Sequence, residues 1–317
     1  MCTAVSYNTD FYHYFGRNLD LDYSYNEAVI ITPRNFNFKM RCVDDLQKHY
    51  ALIGMATVFD GVPLYYEATN EKGLSVAGLN FPDNADYKPL DGEKQNVTPF
   101  EFIPFVLADC ATVDEVKALL PKINLVNICF SDGLPLAPLH FIISDCKKSI
   151  TVECVKDGLK IYNNPVGVMT NNPTFDWHLM NLNNYLNLHN GAMENKLTDK
   201  IRDYNYSLGL GALGLPGDFS SPSRFIKATF VKENSPTDLK DFDAVNQFFH
   251  ILSSVAMPKG CVNTPRNEFE YTRYSCCCNT KKGDYYYTTY DNSSKVKISM
   301  QDFDLNSSEI FVFQLEK

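Results

Sequence analysis

The feature that most constrains this chain is a recurrent pattern of short apolar and β-branched runs separated by tight polar turns, the signature of antiparallel hairpins. Ala51 to Phe59 and Leu64 to Ala68 are followed by Asn70-Glu71-Lys72-Gly73, a turn leading into Leu74 to Leu79. Ile142 to Val155 repeats the pattern around Asp145-Cys146-Lys147-Lys148, and Asp157-Gly158 turns into Leu159 to Tyr162. Lys281-Lys282-Gly283-Asp284 separates Tyr271 to Asn279 from the aromatic run Tyr285 to Tyr290. Helical blocks interrupt these runs at Pro99 to Ala108, Phe175 to Leu188, Ser223 to Lys232 and Ala244 to Val255, and Thr112-Val113-Asp114-Glu115 forms a capping box for a helix to Leu120. Strands and helices each come in clusters, so the expected class is α+β, antiparallel sheets covered by helices.

With 317 residues, 44% of them hydrophobic, the chain can bury a large core, and no Pro/Gly/Ser-rich linker divides it. The expectation is a single domain over residues 1–317. A formal charge of -9 without a run of Lys or Arg excludes a nucleic-acid surface, which needs clustered cations. The first thirty residues hold Asp10, Asp20 and Asp22 and no apolar run, unlike a secretory leader, and nothing approaches a membrane span. Ten scattered cysteines, with Cys276-Cys277-Cys278 in a row, read as reduced thiols in a cytoplasmic protein. There is no C-x-x-C pair, and the six histidines stand singly, so neither a metal nor a cofactor is expected.

Two motifs fail on context. Gly209-Leu210-Gly211-Ala212-Leu213-Gly214 matches a dinucleotide fingerprint, but Asp203-Tyr204-Asn205-Tyr206 is a poor buried strand and Leu215-Pro216-Gly217 breaks any following helix, so it reads as a loop. No G-x-S-x-G elbow exists, and His140 and His178, beside Leu139 and Trp177, read as packed, hydrogen-bonded residues.

Attention then falls on Met1-Cys2. Methionine is normally trimmed before a residue as small as cysteine, which leaves a thiol and an α-amine on one residue. Their reference pKa values of about 8.5 and 7.7–8.0 allow the amine to act as base for its own nucleophile near neutrality. A cysteine in second position is by itself equally an incidental small residue. Phe15-Gly16-Arg17-Asn18-Leu19-Asp20, read as the return strand of a hairpin, would bring a cation and a carboxylate beside the thiol. Arg17 there favours thiolate, and Asp20 suits either the amine or an ordinary turn.

Met1-Cys2-Thr3-Ala4 and Phe15 to Asp20 resemble the choloylglycine hydrolase family of N-terminal-nucleophile hydrolases. So do Asn70 to Leu74, Gly78-Leu79-Asn80-Phe81, Met169 to His178, Leu215-Pro216-Gly217-Asp218 and Ser223-Arg224-Phe225, in order and over nearly the whole chain. The resemblance implies a four-layer αββα sandwich of two antiparallel sheets, an amide hydrolase with Cys2 as nucleophile, and Arg17, Asp20, Asn80, Asn171 and Arg224 around it. Asn171 and the backbone around Asn80 are the expected oxyanion hole. Within the family, Asn80 where other members carry tyrosine points to conjugated bile salts, amides of glycine or taurine, with penicillin V or N-acyl-homoserine lactone acylase as the rival and an inactive bile-acid-binding protein as a second. Residues matching the family's steroid wall are Leu19, Phe59, Tyr66, Phe130, Leu134 and Leu139, Tyr66 standing where some relatives are small. Family members are commonly homotetramers, and the Gly-, Leu- and Tyr-rich segment of about 190–216 is expected to be an assembly excursion.

Overall fold

A computed structural model of the chain describes residues 1–202 and 206–316. Among the described residues two large antiparallel sheets dominate. The first runs in the order Val168–Met169, Cys2–Asn8, His13–Leu21, Tyr271–Asn279, Asp284–Thr289, Val296–Ser299. The second runs Gly158–Asn163, Ser149–Val155, Leu139–Ser144, Ser75–Asn80, Val62–Asn70, Leu52–Phe59, Ala28–Thr32, Phe311–Gln314. Helices Phe175–Leu182, Ser221–Glu233 and Asp241–Ser253 share a core with the first sheet, and helices Phe102–Asp109 and Val113–Leu119 with the second.

The layering follows from the period of two along each strand. Ala4 faces the core between the sheets while its neighbour Val5 packs with Phe225 and Phe248 of the helices. The cysteine run obeys the same rule: Cys276 and Cys278 enter the inter-sheet core and Cys277 the helix layer. Consecutive thiols pointing to opposite faces cannot pair with each other, and all ten cysteines are free. On the far side, Leu74, Val76, Phe141 and Ile143 meet Phe102, Val106 and Val116. Burying each such large side chain contributes about 1.5–3 kcal/mol. Gly16 allows a close approach between strands, since a Cβ there would lie 1.9 Å from the Cys276 carbonyl oxygen.

The hairpins lie where the turns placed them, with strand ends moved by one or two residues. Thr112 caps as expected, its hydroxyl accepting from Glu115 N at 3.2 Å, while the Glu115 carboxylate reaches back to Ala111 N at 2.6 Å. The helix expected over Phe175 to Leu188 ends at Leu182 and tightens into a 3₁₀ turn over Asn183–Tyr185. There Asn183 donates to the Met180 carbonyl, the local bonding by which asparagine competes with helix. Leu210–Ala212 is a short 3₁₀ turn, so the glycine-rich segment is a loop. Asp203, Tyr204 and Asn205 lie outside the described residues.

At the turn end of the first hairpin, His13 is buried with Ser6 Oγ 2.9 Å from Nε2 and Thr280 Oγ1 3.1 Å from Nδ1. Burial pushes its pKa down to about 4. The unfolded chain, with histidine near 6.5, therefore takes up the proton first as pH falls. The stability this residue contributes is complete above about pH 6.5 and declines toward pH 4. Urea unfolding should show a loss of about 2 kcal/mol from His13 between pH 7 and pH 5, and the pH dependence should shrink in His13→Gln.

Candidate active site

Cys2 opens the first strand and pairs in register with Leu19, so the hairpin brings Arg17, Leu19 and Asp20 to its side. Its backbone nitrogen donates to Asn171 Oδ1 at 2.8 Å. Arg224 Nη2 donates to the same oxygen at 2.7 Å. Two donors on one atom fix which end of the amide is oxygen. Asn171 Nδ2 then donates one N–H to the Asn80 carbonyl at 2.7 Å, and its second N–H has no partner among the described residues. Asn171 thus ties the first strand to the end of Ser75–Asn80 in the opposite sheet.

Asn171 is itself held from behind. Its N–H donates to Ser221 Oγ at 2.8 Å, and His178 Nε2 donates to its carbonyl at 2.9 Å. That bond requires a proton on Nε2, and burial lowers the His178 pKa to about 4, so the ring is neutral. His140 lies 2.9 Å from the Thr170 carbonyl and 3.1 Å from Glu153, stacked on Phe81. Both histidines are packed and hydrogen-bonded, in the manner read from the sequence.

Two arginines are buried here. Arg224, on helix Ser221–Glu233, also donates to the Cys2 carbonyl, to Thr3 Oγ1 at 2.7 Å and to the Phe219 carbonyl at 3.0 Å. Burial lowers its pKa, against the opposing pull of Asp20 and Cys2. Arg17 donates to the Gly78 and Tyr66 carbonyls at 2.7 and 3.1 Å and stands 3.8 Å from Glu67. Burial disfavours its charge, yet Cys2, Tyr274, Glu67 and Cys276 together raise its pKa above that of an ordinary arginine. Glu67 accepts from the Tyr274 and Tyr285 hydroxyls at 2.8 and 2.7 Å.

Asp20 is fully buried, its Oδ1 accepting from Thr272 Oγ1 at 2.6 Å while Oδ2 has no hydrogen-bond partner among the described residues. Met1 continues the strand: its carbonyl accepts from Asp20 N at 2.9 Å, and its amine donates to the Asp20 carbonyl at 2.8 Å and pairs with Glu270. Burial pushes that amine below its ordinary value of 8.0, Cys2 and Asp20 acting in the opposite direction.

Tyr66 and Gly78, whose carbonyls hold Arg17, also line an apolar cavity of about 190 Å³. Phe130, Leu134 and Leu139 line it too. Phe59 lies beside it, edge-on to Phe130 with ring centroids 5.6 Å apart. Leu19 sits elsewhere, in the inter-sheet core with Cys2. A second cavity of about 410 Å³ shares Leu64, Phe100 and Phe130 with the first. A roomier cleft of about 680 Å³ surrounds Asn8 to His13, at the far end of the hairpin from Cys2, and holds none of the convergent groups. Thr3, Ser221, Glu67 and Thr272 join the cluster without having been singled out from the sequence. Ser221 adjoins the Ser223-Arg224 block, but nothing local marks Glu67 or Thr272.

Comparison with known proteins places the chain in a family. The family described as linear amide C-N hydrolases, choloylglycine hydrolase family, matches residues 2–313. A bile salt hydrolase/transferase of Lactiplantibacillus plantarum is 50% identical over 315 residues, covering 99% of this chain and 97% of that protein. One of the same name from Clostridium perfringens is 41% identical, covering 100% and 98%. The crystal structure of the mutant C2A conjugated bile acid hydrolase from Clostridium perfringens aligns with a TM-score of 0.92 at 40% identity, covering 100% of this chain and 97% of that one. Penicillin V acylase from Agrobacterium tumefaciens, at 21% identity and a TM-score of 0.79 with 98% and 90% covered, shares the fold. The four-layer sandwich is thus the N-terminal-nucleophile hydrolase fold, and the chain belongs to the choloylglycine hydrolase family of linear amide C-N hydrolases.

Proposed function

We propose that this chain is a conjugated bile salt hydrolase, cleaving the amide between a bile acid and glycine or taurine through an acyl-thioester on Cys2. The observation that carries the reading is the single amide of Asn171 holding the Cys2 nitrogen and the Asn80 carbonyl together, beside an apolar cavity. Removal of Met1 frees the Cys2 amine, which accepts the thiol proton as sulfur attacks the substrate carbonyl. The remaining N–H of Asn171 and the backbone near Asn80 stabilise the resulting oxyanion. As the C–N bond breaks, the amine returns the proton to the leaving nitrogen and glycine or taurine departs. Water, activated by the same amine, then releases the bile acid from the thioester.

The apolar lining suits a rigid hydrocarbon skeleton. The cavity beside Arg17 is smaller than the range of about 300–1,000 Å³ usual for pockets of drug-sized ligands, and its neighbour behind Phe130 brings the total within it. Most binding free energy should come from apolar burial at about 25 cal/mol per Å². Asn80 in the Gly78-Leu79-Asn80 segment supports bile salts over penicillin V, and the two bile salt hydrolase/transferases cited above support the same substrate class.

We further propose one domain with an assembly segment over about 190–216, forming a homotetramer. Tyr206, Leu208 and Leu213 are exposed there, with Leu210 and Leu215 half-buried. Exposed apolar side chains gathered in one segment are the kind of surface that an assembly contact covers. Among the described residues no helix is long and apolar enough to cross a membrane. A cytoplasmic location fits the reduced cysteines.

Purified protein should release taurine or glycine from conjugated bile salts in a ninhydrin assay and act far less on penicillin V, with intact mass showing loss of Met1. Cys2→Ala should abolish turnover with the fold intact, and Cys2→Ser should keep less than about a tenth of the rate, a barrier increase of roughly 1.4 kcal/mol or more. Asn171→Ala should lower kcat by about a hundredfold, with KM changing less. Light scattering at micromolar concentration should give about four times the 36.0 kDa chain mass.

A further inference from the structure

The pairing between strands His13–Leu21 and Tyr271–Asn279 is irregular beside the site. Ser275 lies opposite Asn18 and Tyr274 opposite Leu19, but Thr272 rather than Arg273 lies opposite Asp20. One extra residue, Arg273, is accommodated in a β-bulge, a device that re-aims side chains and recurs next to active sites. Had the register continued, Arg273 would face Asp20 across the sheet. An ion pair there would occupy the carboxylate. Instead, Arg273 is half-buried with its guanidinium 5.1 Å from the centre of the Tyr271 ring.

Thr272 is held so that its hydroxyl has one thing to do. Its N–H donates to the Met257 carbonyl at 3.0 Å, and Oγ1 accepts from Met257 N at 2.8 Å. The hydroxyl proton is therefore directed at Asp20 Oδ1, 2.6 Å away. The carboxylate is pinned through one oxygen, while Oδ2 is left buried without a partner among the described residues, the kind of orphan that needs a functional explanation.

We infer that Thr272 is a positioning residue that holds Asp20 so that Oδ2 accepts a hydrogen bond from the α-amine of processed Cys2, and that the Arg273 bulge keeps a competing cation away. This rests on the reading of Cys2 as a terminal nucleophile. Removing Met1 frees the strand position opposite Asp20 and turns the Cys2 nitrogen from an amide into an amine with additional donors. The charged groups around that amine are Asp20 and Arg17 on the second strand, Arg224 on helix Ser221–Glu233, Glu270 ahead of strand Tyr271–Asn279, and the Cys2 thiol itself. Thr272 is the neutral member that governs how one of them is oriented.

The test compares Thr272→Val, which keeps shape and removes the hydroxyl, with Thr272→Ala and Thr272→Ser, using the full-length processed enzyme. Intact mass verifies Met1 removal in each variant, and kcat, KM and the pH profile of kcat/KM are read with a glycine-conjugated bile salt. Thr272→Val and Thr272→Ala should lose at least tenfold in kcat, with KM within about twofold. Their acidic limb should move to lower pH, because a carboxylate no longer held against the amine stabilises its protonated form less. Thr272→Ser should recover the rate to within about threefold and restore the wild-type limb. An unshifted limb in both hydroxyl-free variants, or a Thr272→Ser enzyme as impaired as Thr272→Val, would overturn the assignment. Turnover by Cys2→Ala, run alongside, would instead sink the nucleophile reading, and this inference with it.

Discussion

A guanidinium buried between two sheets is the constraint around which this molecule is organised. An unpaired cation in such a position is prohibitively costly, so Arg17 is surrounded by acceptors. The Gly78 and Tyr66 carbonyls come from the opposite sheet, and the Glu67 carboxyl, whose pKa burial raises against the pull of Arg17, stands 3.8 Å away. These contacts fix the separation and register of the sheets at the point where Cys2 begins the chain's first strand. Glu67 is in turn satisfied by Tyr274 and Tyr285, so the network extends into the strands that complete the first sheet. A site built on such a support inherits its rigidity.

The second convergence is Asn171. Its backbone is held by Ser221 and His178, and its side chain by Arg224, Cys2 and Asn80. Donors and acceptors are matched so that one N–H of the amide is left without a partner among the described residues. Because these partners come from two strands and two helices, the amide is oriented before any ligand arrives, and preorganisation of that kind is what the proposed oxyanion role requires. The neutral state of His178 contributes here, since an imidazolium beside Arg224 would add like charge.

The residues legible from the sequence were those whose role follows from local chemistry. A thiol next to the initiator methionine, a cation and a carboxylate three residues apart, and asparagines in the quoted blocks were each visible as residue types. Hairpins were legible because alternation and turn residues act within a few positions. Strands Ala28–Thr32 and Phe311–Gln314 were not, since a short apolar run acquires its partner only across the whole chain. Val168–Met169 extends the first sheet by two residues and has too little length to carry a period. Leu19 illustrates the opposite limit: an apolar side chain beside Cys2 reads equally as pocket wall or core, and the structure packs it with Cys2 between the sheets, away from the lining of the apolar cavity.

What the sequence determined by itself is the class of fold, the candidate reactive groups and their order along the chain, because alternation, turn chemistry and functional groups are properties of residues and their neighbours. What only the tertiary structure decided is which of those atoms meet. Asn80 and Asn171 are joined across the two sheets, Glu67 lies under Arg17 rather than at the surface, and a one-residue bulge at Arg273 selects Thr272 as the neighbour of Asp20. Each outcome depends on strand register over long separations. A shift of one residue there reverses which side chain faces the site, and no local signal encodes it.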